Sequence, residues 1–89
     1  MNILIKIFLK QNKFKRIDVK IEGFVSIELE INKLMIIESK DSIILLDNKV
    51  NVLKINKHQI SKIYSENKNI LKIKLYQFIK ISLVIKNSK

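Results

Sequence analysis

From residue 17 onward, apolar residues alternate with polar residues along most of the chain. This period of two predicts β-strands with one buried face, because successive side chains of an extended chain point to opposite sides. The segment FVSIELEI, residues 24–31, is the clearest case. Its odd-numbered residues are expected to face the core, and these are Val25, Ile27, Leu29 and Ile31. The segments LMII and SIILL are almost continuously apolar, which predicts strands buried on both faces.

Short polar pairs separate these apolar segments. Asn-Lys recurs at strand boundaries, beginning at Asn32, Asn48, Asn56 and Asn67, and Gly23 marks another bend. Asn tolerates the left-handed backbone region that hairpin turns need, so it replaces glycine in a chain with one glycine. A spacing of about 8–12 residues predicts seven or eight short strands in one all-β domain. Two arrangements fit: a meander closed into a small sandwich or barrel, and a β-roll.

The N-terminal segment, residues 1–14, is basic and amphipathic and precedes the β domain, residues 15–89. Its apolar residues alternate as in a strand, but they also form a helical stripe of Ile3, Leu4, Ile7, Phe8 and Phe14 with Lys6, Lys10 and Lys13 beside it. Such a helix can lie in a membrane interface or dock on a partner. It can equally pack on the domain's own sheet, and a strand would add an edge. The candidate residues for contact with a partner or membrane are Ile3, Leu4, Lys6, Ile7, Phe8 and Lys10.

The charge of the chain favours anionic partners. Eighteen basic residues against eight acidic residues give a formal charge of +10, which attracts phosphates and anionic lipid head groups. Ile, Lys and Asn are encoded by AT-rich codons, so coding bias accounts for much of the lysine. Arg16 is the single arginine, which argues against base-specific reading of nucleic acid.

The absence of cysteine fits a reducing compartment, and the longest apolar runs are shorter than the roughly 18 residues of a membrane-spanning helix. We therefore expect a cytoplasmic protein, with peripheral contact to a membrane as an option.

Residues for catalysis, metal binding or cofactor binding are not predicted. The one histidine, His58, falls in a turn, and a single glycine rules out a glycine-rich phosphate loop. Glu28 and Glu30 share a strand face about 7 Å apart, which suits a cation site or an acid pair but also the solvated side of a sheet. We expect a protein that is not an enzyme and that has no catalytic residues, metal or cofactor.

An alternative function is binding of single-stranded nucleic acid, which small basic β domains achieve by stacking and phosphate contacts. In KIKLYQFIK, residues 72–80, the even-numbered positions place lysines and two rings on one strand face: Lys72, Lys74, Tyr76, Phe78 and Lys80. Tyr76 to Phe78 also fits a three-residue turn whose rings cover the end of the core.

Three stretches resemble the YabP/YqfC family of small sporulation proteins of endospore-forming Firmicutes. They are VKIEG at 19–23, IELEINKLMIIESKDSIILLDN at 27–48 and VLKINKHQISKIY at 52–64, and the resemblance covers roughly residues 17–85. It departs at Lys49, Ile55 and Leu75, where the family tends to have glycine. The resemblance implies a non-catalytic structural or adaptor role in the mother cell, in complex with a YqfD-type stage IV sporulation membrane protein.

Strand edges offer a further mode of interaction, because an open edge can pair with another copy of the chain. The lysine-marked segments VNVLKI and ISLVIK are the expected edges. The sequence therefore predicts self-assembly or a heteromeric complex rather than a free monomer.

Overall fold

The computed structural model describes residues 3–12 and 15–86. Within them, one α-helix precedes eight strands: α1 (Ile3–Asn12), β1 (Ile17–Glu22), β2 (Ser26–Ile31), β3 (Leu34–Glu38), β4 (Ser42–Asp47), β5 (Val50–Asn56), β6 (Ile60–Asn67), β7 (Ile70–Leu75) and β8 (Lys80–Ile85). Short 3-10 turns, Lys57–Gln59 and Tyr76–Phe78, connect β5 to β6 and β7 to β8. The prediction of an all-β domain with seven or eight strands is confirmed, and the N-terminal segment, which the sequence left open between helix and strand, contains a short helix.

The strands form two antiparallel sheets in which every neighbouring pair except β1 and β8 is consecutive in the chain. One sheet has the order β2-β1-β8-β7-β6 and the other has the order β3-β4-β5. The last strand returns to pair with the first, with Ile85 opposite Ile17. Short connections link β2 to β3 and β5 to β6 at the two corners. The domain is therefore a meander closed into a sandwich, which is one of the two predicted arrangements.

The core lies between the two sheets and consists of aliphatic side chains. The five-stranded sheet contributes odd-numbered residues, which include Ile17, Val19, Leu71, Ile73, Ile81 and Leu83. The three-stranded sheet contributes Leu34, Ile36, Ile43, Leu45 and Ile55. Because apolar area removed from water stabilises at roughly 25 cal/mol per Å², this layer is the main source of the fold's stability.

Two details of the predicted burial are wrong. Ile31 is buried at the end of β2, but Ile27 is exposed, because β2 is an edge strand of the larger sheet. Val25 is exposed in the bend before β2. In LMII, Ile37 is exposed on the outer side of β3, so that segment is buried on one face only. SIILL does match its prediction, since Leu46 is buried as well as Leu45.

The predicted polar turns connect the strands. Asn48 and Lys49 have φ angles of 49° and 74°, so this hairpin uses the left-handed conformation at both positions, as type I′ turns do. Gly23 lies in the bend between β1 and β2 without a positive φ. Asn48 thus has the left-handed conformation predicted for it, but the prediction is wrong at Asn32, Asn56 and Asn67, which have no positive φ. Asn56, for example, has an extended backbone with φ −76° before a 3-10 turn, and the one glycine does not need its conformational freedom.

The N-terminal helix is part of the core. Ile5 and Phe8 are buried in the main cluster, and Leu4 packs against it. The helix contacts β3 of one sheet and β6 and β7 of the other, so it bridges the two sheets. At its end, the Asn12 side-chain amide donates a hydrogen bond to the Phe8 carbonyl oxygen at 3.0 Å. The open choice between helix and strand is settled as a helix packed on the domain's own sheets. Lys13 and Phe14, which belonged to the predicted helix, lie outside the described residues.

Candidate interaction surfaces

The structure divides the six residues proposed for partner or membrane contact between two faces of α1. Phe8 is buried and Leu4 is partly buried, so Phe8 serves the core and is not accessible to a partner. The outward residues lie at spacings of three and four positions, which places them on one face of the helix. We call them the α1 outer surface: Ile3, Lys6, Ile7 and Lys10, all exposed.

The structure brings together four of the five residues proposed for nucleic-acid binding. One open depression, at the end of β7 and the start of β8, is lined by Lys74, Tyr76, Phe78 and Lys80. Lys72 differs, because its side chain is largely covered and its Nζ lies 3.5 Å from Glu66 Oε1. Four of the five residues therefore lie together, and Lys72 lies outside the group.

The rings of this cluster do not lie on a strand face. Tyr76 and Phe78 belong to the 3-10 turn after β7, and the Leu75 amide donates a hydrogen bond to the Ile79 carbonyl oxygen at 2.8 Å to close that turn. Gln77 and Phe78 have φ angles of 72° and 64°. A left-handed φ is uncommon for a bulky residue and costs about 1–3 kcal/mol. The predicted three-residue turn is therefore confirmed, but the prediction that its rings cover the end of the core is wrong, because Phe78 is 99% exposed and Tyr76 is exposed as well.

A row of lysines crosses the outer face of the larger sheet beside this turn. Lys62 is opposite Lys74 in the β6–β7 ladder, and Lys74 is opposite Lys80 in the β7–β8 ladder. Adjacent strands are about 4.8 Å apart, so three ammonium groups share a narrow band. Lys62 Nζ and Lys74 Nζ lie 5.3 Å and 5.8 Å from the centre of the Tyr64 ring, which is cation–π distance. Within the described part of the chain, none of the three lysines is in an ion pair.

Sequence reasoning missed Lys62 and Tyr64, although both belong to this basic band. They lie on β6, and their neighbours on β7 are about ten residues away along the chain. Only the pairing register brings them together. The turn at Asn67 was predicted, but the register of the β6–β7 pair, which is shifted between Ile60 and Lys62 and again between Ser65 and Asn67, was not.

The two glutamates on the other half of the same sheet face, Glu28 and Glu30, are paired with cationic side chains. Glu30 accepts hydrogen bonds from Lys86 Nζ at 3.0 Å and from Arg16 Nη2 at 2.9 Å. These bonds, with that from Lys86 the larger cause, hold the pKa of Glu30 below its ordinary value. Glu28 lies 3.9 Å from Lys20 Nζ. The two glutamates therefore have lysine and arginine partners, as on an ordinary solvated face.

The predicted strand edges are only partly correct. β5, which contains VNVLKI, is an edge of the smaller sheet, but β8, which contains ISLVIK, lies between β1 and β7. That prediction is wrong because β8 closes the meander onto β1. The smaller sheet also carries an apolar outer face, in which Met35 is opposite Leu46 and Ile37 is opposite Ile44.

Residues 3–12 and 15–86 contain no group of three or more His, Cys, Asp or Glu side chains placed to hold a metal ion. Over the same residues, no helix has both the length and the apolar character needed to cross a membrane. The chain is thus a small all-β domain with one packed helix and several exposed apolar surfaces. Comparison with known proteins finds no matching family model and no significant similarity to a curated protein or a solved structure.

Proposed function

We propose that the protein is a non-catalytic adaptor that acts in spore formation in the mother cell and binds a YqfD-type stage IV sporulation membrane protein at the cytoplasmic face of the membrane. The support for this particular role is the resemblance of residues 17–85 to the YabP/YqfC family. The departures from the family's glycine pattern are physically tolerable at two places. Ile55 lies in a strand, and Leu75 has an extended backbone with φ −100° and ψ 160°, so neither position needs glycine.

The observation that carries the adaptor role is the α1 outer surface. Ile3 and Ile7 face water on a helix whose other side is fixed in the core by Ile5 and Phe8. Exposed apolar side chains on a rigid helix lose little entropy when a partner covers them, which favours binding. Lys6 and Lys10 flank them and suit a site next to anionic lipid, where each contributes about 1 kcal/mol.

The test is a pull-down of the tagged full chain from a sporulating culture of an endospore former, with nuclease treatment and identification of bound proteins. Ile7→Ser is compared with Ile37→Ser, because both isoleucines are 48% exposed but lie on different surfaces. Covering half an isoleucine contributes about 1 kcal/mol, so Ile7→Ser should reduce recovery of the YqfD-type protein roughly fivefold. Ile37→Ser should leave recovery unchanged. Failure to recover that protein, or equal effects of the two variants, would refute the proposal.

A further inference from the structure

Two neighbouring loops place large apolar side chains in water at one end of the sandwich. Phe24 and Val25 follow β1, and Tyr76 and Phe78 follow β7. We call residues 23–25 and 76–79 the aromatic end.

The two loops are adjacent because β1 pairs with β8. Glu22, the last residue of β1, is opposite Lys80, the first residue of β8. A Cβ atom on Gly23 would lie 3.4 Å from Ile79 Cγ1. The rings of Phe24 and Phe78 therefore project from neighbouring segments, although 54 positions separate them in the chain.

None of these four side chains supports the core. Phe24 and Phe78 are fully exposed, and the left-handed backbone at Phe78 holds its ring outward at a conformational cost. Several large apolar side chains exposed together at one place are typical of an interaction site.

The row of lysines on β6, β7 and β8 lies next to the rings, on the strand side of the aromatic end. Lys74 is two residues before Tyr76, and Lys80 is two residues after Phe78, so both lysines lie on the strands on either side of the turn that carries the rings. Lys62 continues the row on β6. Glu22, opposite Lys80, is the acidic residue at this end of the β1–β8 ladder. The apolar side chains thus lie at the end of the sandwich, and the lysine ammonium groups lie further back along the strands.

This arrangement, with apolar side chains at the tip and cationic side chains further back, matches a bilayer surface better than a nucleic acid. At an anionic bilayer, apolar side chains enter the boundary between head groups and acyl chains while lysines remain at the level of the phosphates. A single strand instead needs rings and cations along one groove, so that bases stack while phosphates are bound. The open depression at this end is lined by Tyr76 and Phe78 but not by Phe24 or Val25, so half of the exposed apolar side chains lie outside any groove that a strand would follow.

We propose that the aromatic end docks the protein on anionic lipid bilayers, with Phe24 and Phe78 inserted and with Lys62, Lys74 and Lys80 contacting lipid phosphates. This surface is distinct from the α1 outer surface, and the inference does not rest on the proposed adaptor function.

The experiment is co-sedimentation of the full chain with vesicles of equimolar phosphatidylcholine and phosphatidylglycerol, compared with pure phosphatidylcholine. The chain should bind the anionic vesicles and not the neutral ones. Phe24→Ala and Phe78→Ala should each weaken binding roughly tenfold. Lys74→Gln and Lys80→Gln should each weaken it roughly fivefold. Matched controls at the other end of the sandwich are Val50→Ala, exposed and apolar, and Lys33→Gln, exposed and basic, and both should bind as the parent does.

Insertion itself is measured with Phe24→Trp, which introduces the only indole in a chain that has no tryptophan of its own. The emission of that indole should shift to shorter wavelength with anionic vesicles and should be quenched by brominated acyl chains. Phe24 and Phe78 are both fully exposed, so we expect variants at these two positions to retain the fold, and circular dichroism checks this.

Three results would overturn the proposal. The first is vesicle binding that survives both phenylalanine changes but is lost in Ile7→Ser, which would assign the membrane contact to α1. The second is an indole emission in the Phe24→Trp variant that does not shift when anionic vesicles are added. The third is tight binding of a single-stranded oligonucleotide that Phe78→Ala abolishes while vesicle binding is unaffected, which would assign the surface to nucleic acid.

Discussion

Shortening Phe8 to alanine should destabilise the whole domain and not only the helix that carries it. Phe8 is 5% exposed, belongs to the main core cluster and lies on a helix that contacts both sheets. Replacing a buried phenylalanine by alanine costs about 3–5 kcal/mol, because it loses transfer free energy and leaves a cavity. The cavity would lie between the helix and the sheets, where neither can close it without moving away from the other.

The size of this loss is large relative to the stability available. At roughly 0.05–0.15 kcal/mol per residue, a chain of 89 residues has a free energy of unfolding of about 4–13 kcal/mol. Phe8→Ala should therefore remove a third or more of a mid-range value. At about 4–8 °C per kcal/mol for a domain of this size, the Tm should fall by at least about 12 °C.

Urea unfolding followed by far-ultraviolet circular dichroism measures the effect, with Ile7→Ala as the matched control on the same helix. Ile7 is half exposed, so its truncation should cost less than about 1 kcal/mol. An equal loss in both variants, or a loss below about 1 kcal/mol for Phe8→Ala, would refute the packing argument. If Phe8→Ala destabilises the domain as expected, deletion of the N-terminal segment is not a specific test of binding, because the deletion also removes part of the core.

Three further predictions concern the turns and one ion-pair cluster. Lys49→Gly should raise the free energy of unfolding by about 1 kcal/mol in a thermal melt, because Lys49 has a φ of 74° that glycine adopts without strain. Gly23→Ala should raise it by about 0.4–1 kcal/mol in the same assay, since Gly23 has no positive φ and the new Cβ would make ordinary contact with Ile79; a loss of stability would contradict this. The pKa of Glu30 is held below its ordinary value of 4.5, chiefly by the hydrogen bond from Lys86, so its stabilisation is present above pH 4.5 and is lost as pH falls through the lower folded pKa. Urea unfolding measured at several pH values across that acid range should therefore show that the free energy of unfolding falls less for Glu30→Gln than for the parent chain.

The features of the fold that could be predicted are those that depend on neighbours in sequence. Alternation of apolar residues identified the strands, and Asn-Lys pairs identified the turns, because side-chain direction and turn conformation are local properties. The Asn48–Lys49 hairpin has both residues left-handed, as the turn argument predicted, whereas the turns at Asn32, Asn56 and Asn67 reverse the chain without a positive φ at Asn. Local rules therefore gave the fold class and the number of strands.

The features that escaped prediction depend on pairing between distant segments. The closure of β8 onto β1 makes β8 a central strand, and no local pattern contains that information. The same closure brings Phe24 next to the turn that carries Phe78. The candidate surface at the aromatic end is therefore a product of topology, although each of its residues was visible in the sequence.

The prediction of which helix face is buried failed for a different reason, because the sequence of α1 is apolar on more than one face. Ile3, Leu4, Ile7 and Phe8 form a stripe by spacing, yet the core takes Leu4 and Phe8 together with Ile5 and leaves Ile3 and Ile7 in water. Spacing alone cannot decide which of two apolar faces turns inward. Contact with β3, β6 and β7 decides it.

The two proposed surfaces have different consequences when they act together. If the α1 outer surface binds a membrane protein while the aromatic end binds the surrounding bilayer, the second contact forms at the high effective concentration that the first creates. Each contact can then be weak on its own. A weak contact is what we expect of each surface, because each has only a few exposed apolar residues. Salt separates the two contributions, because it screens the lysines at the bilayer but not the apolar contact of Ile3 and Ile7. A chain that needs both contacts should leave membranes at high salt while it still binds the isolated partner.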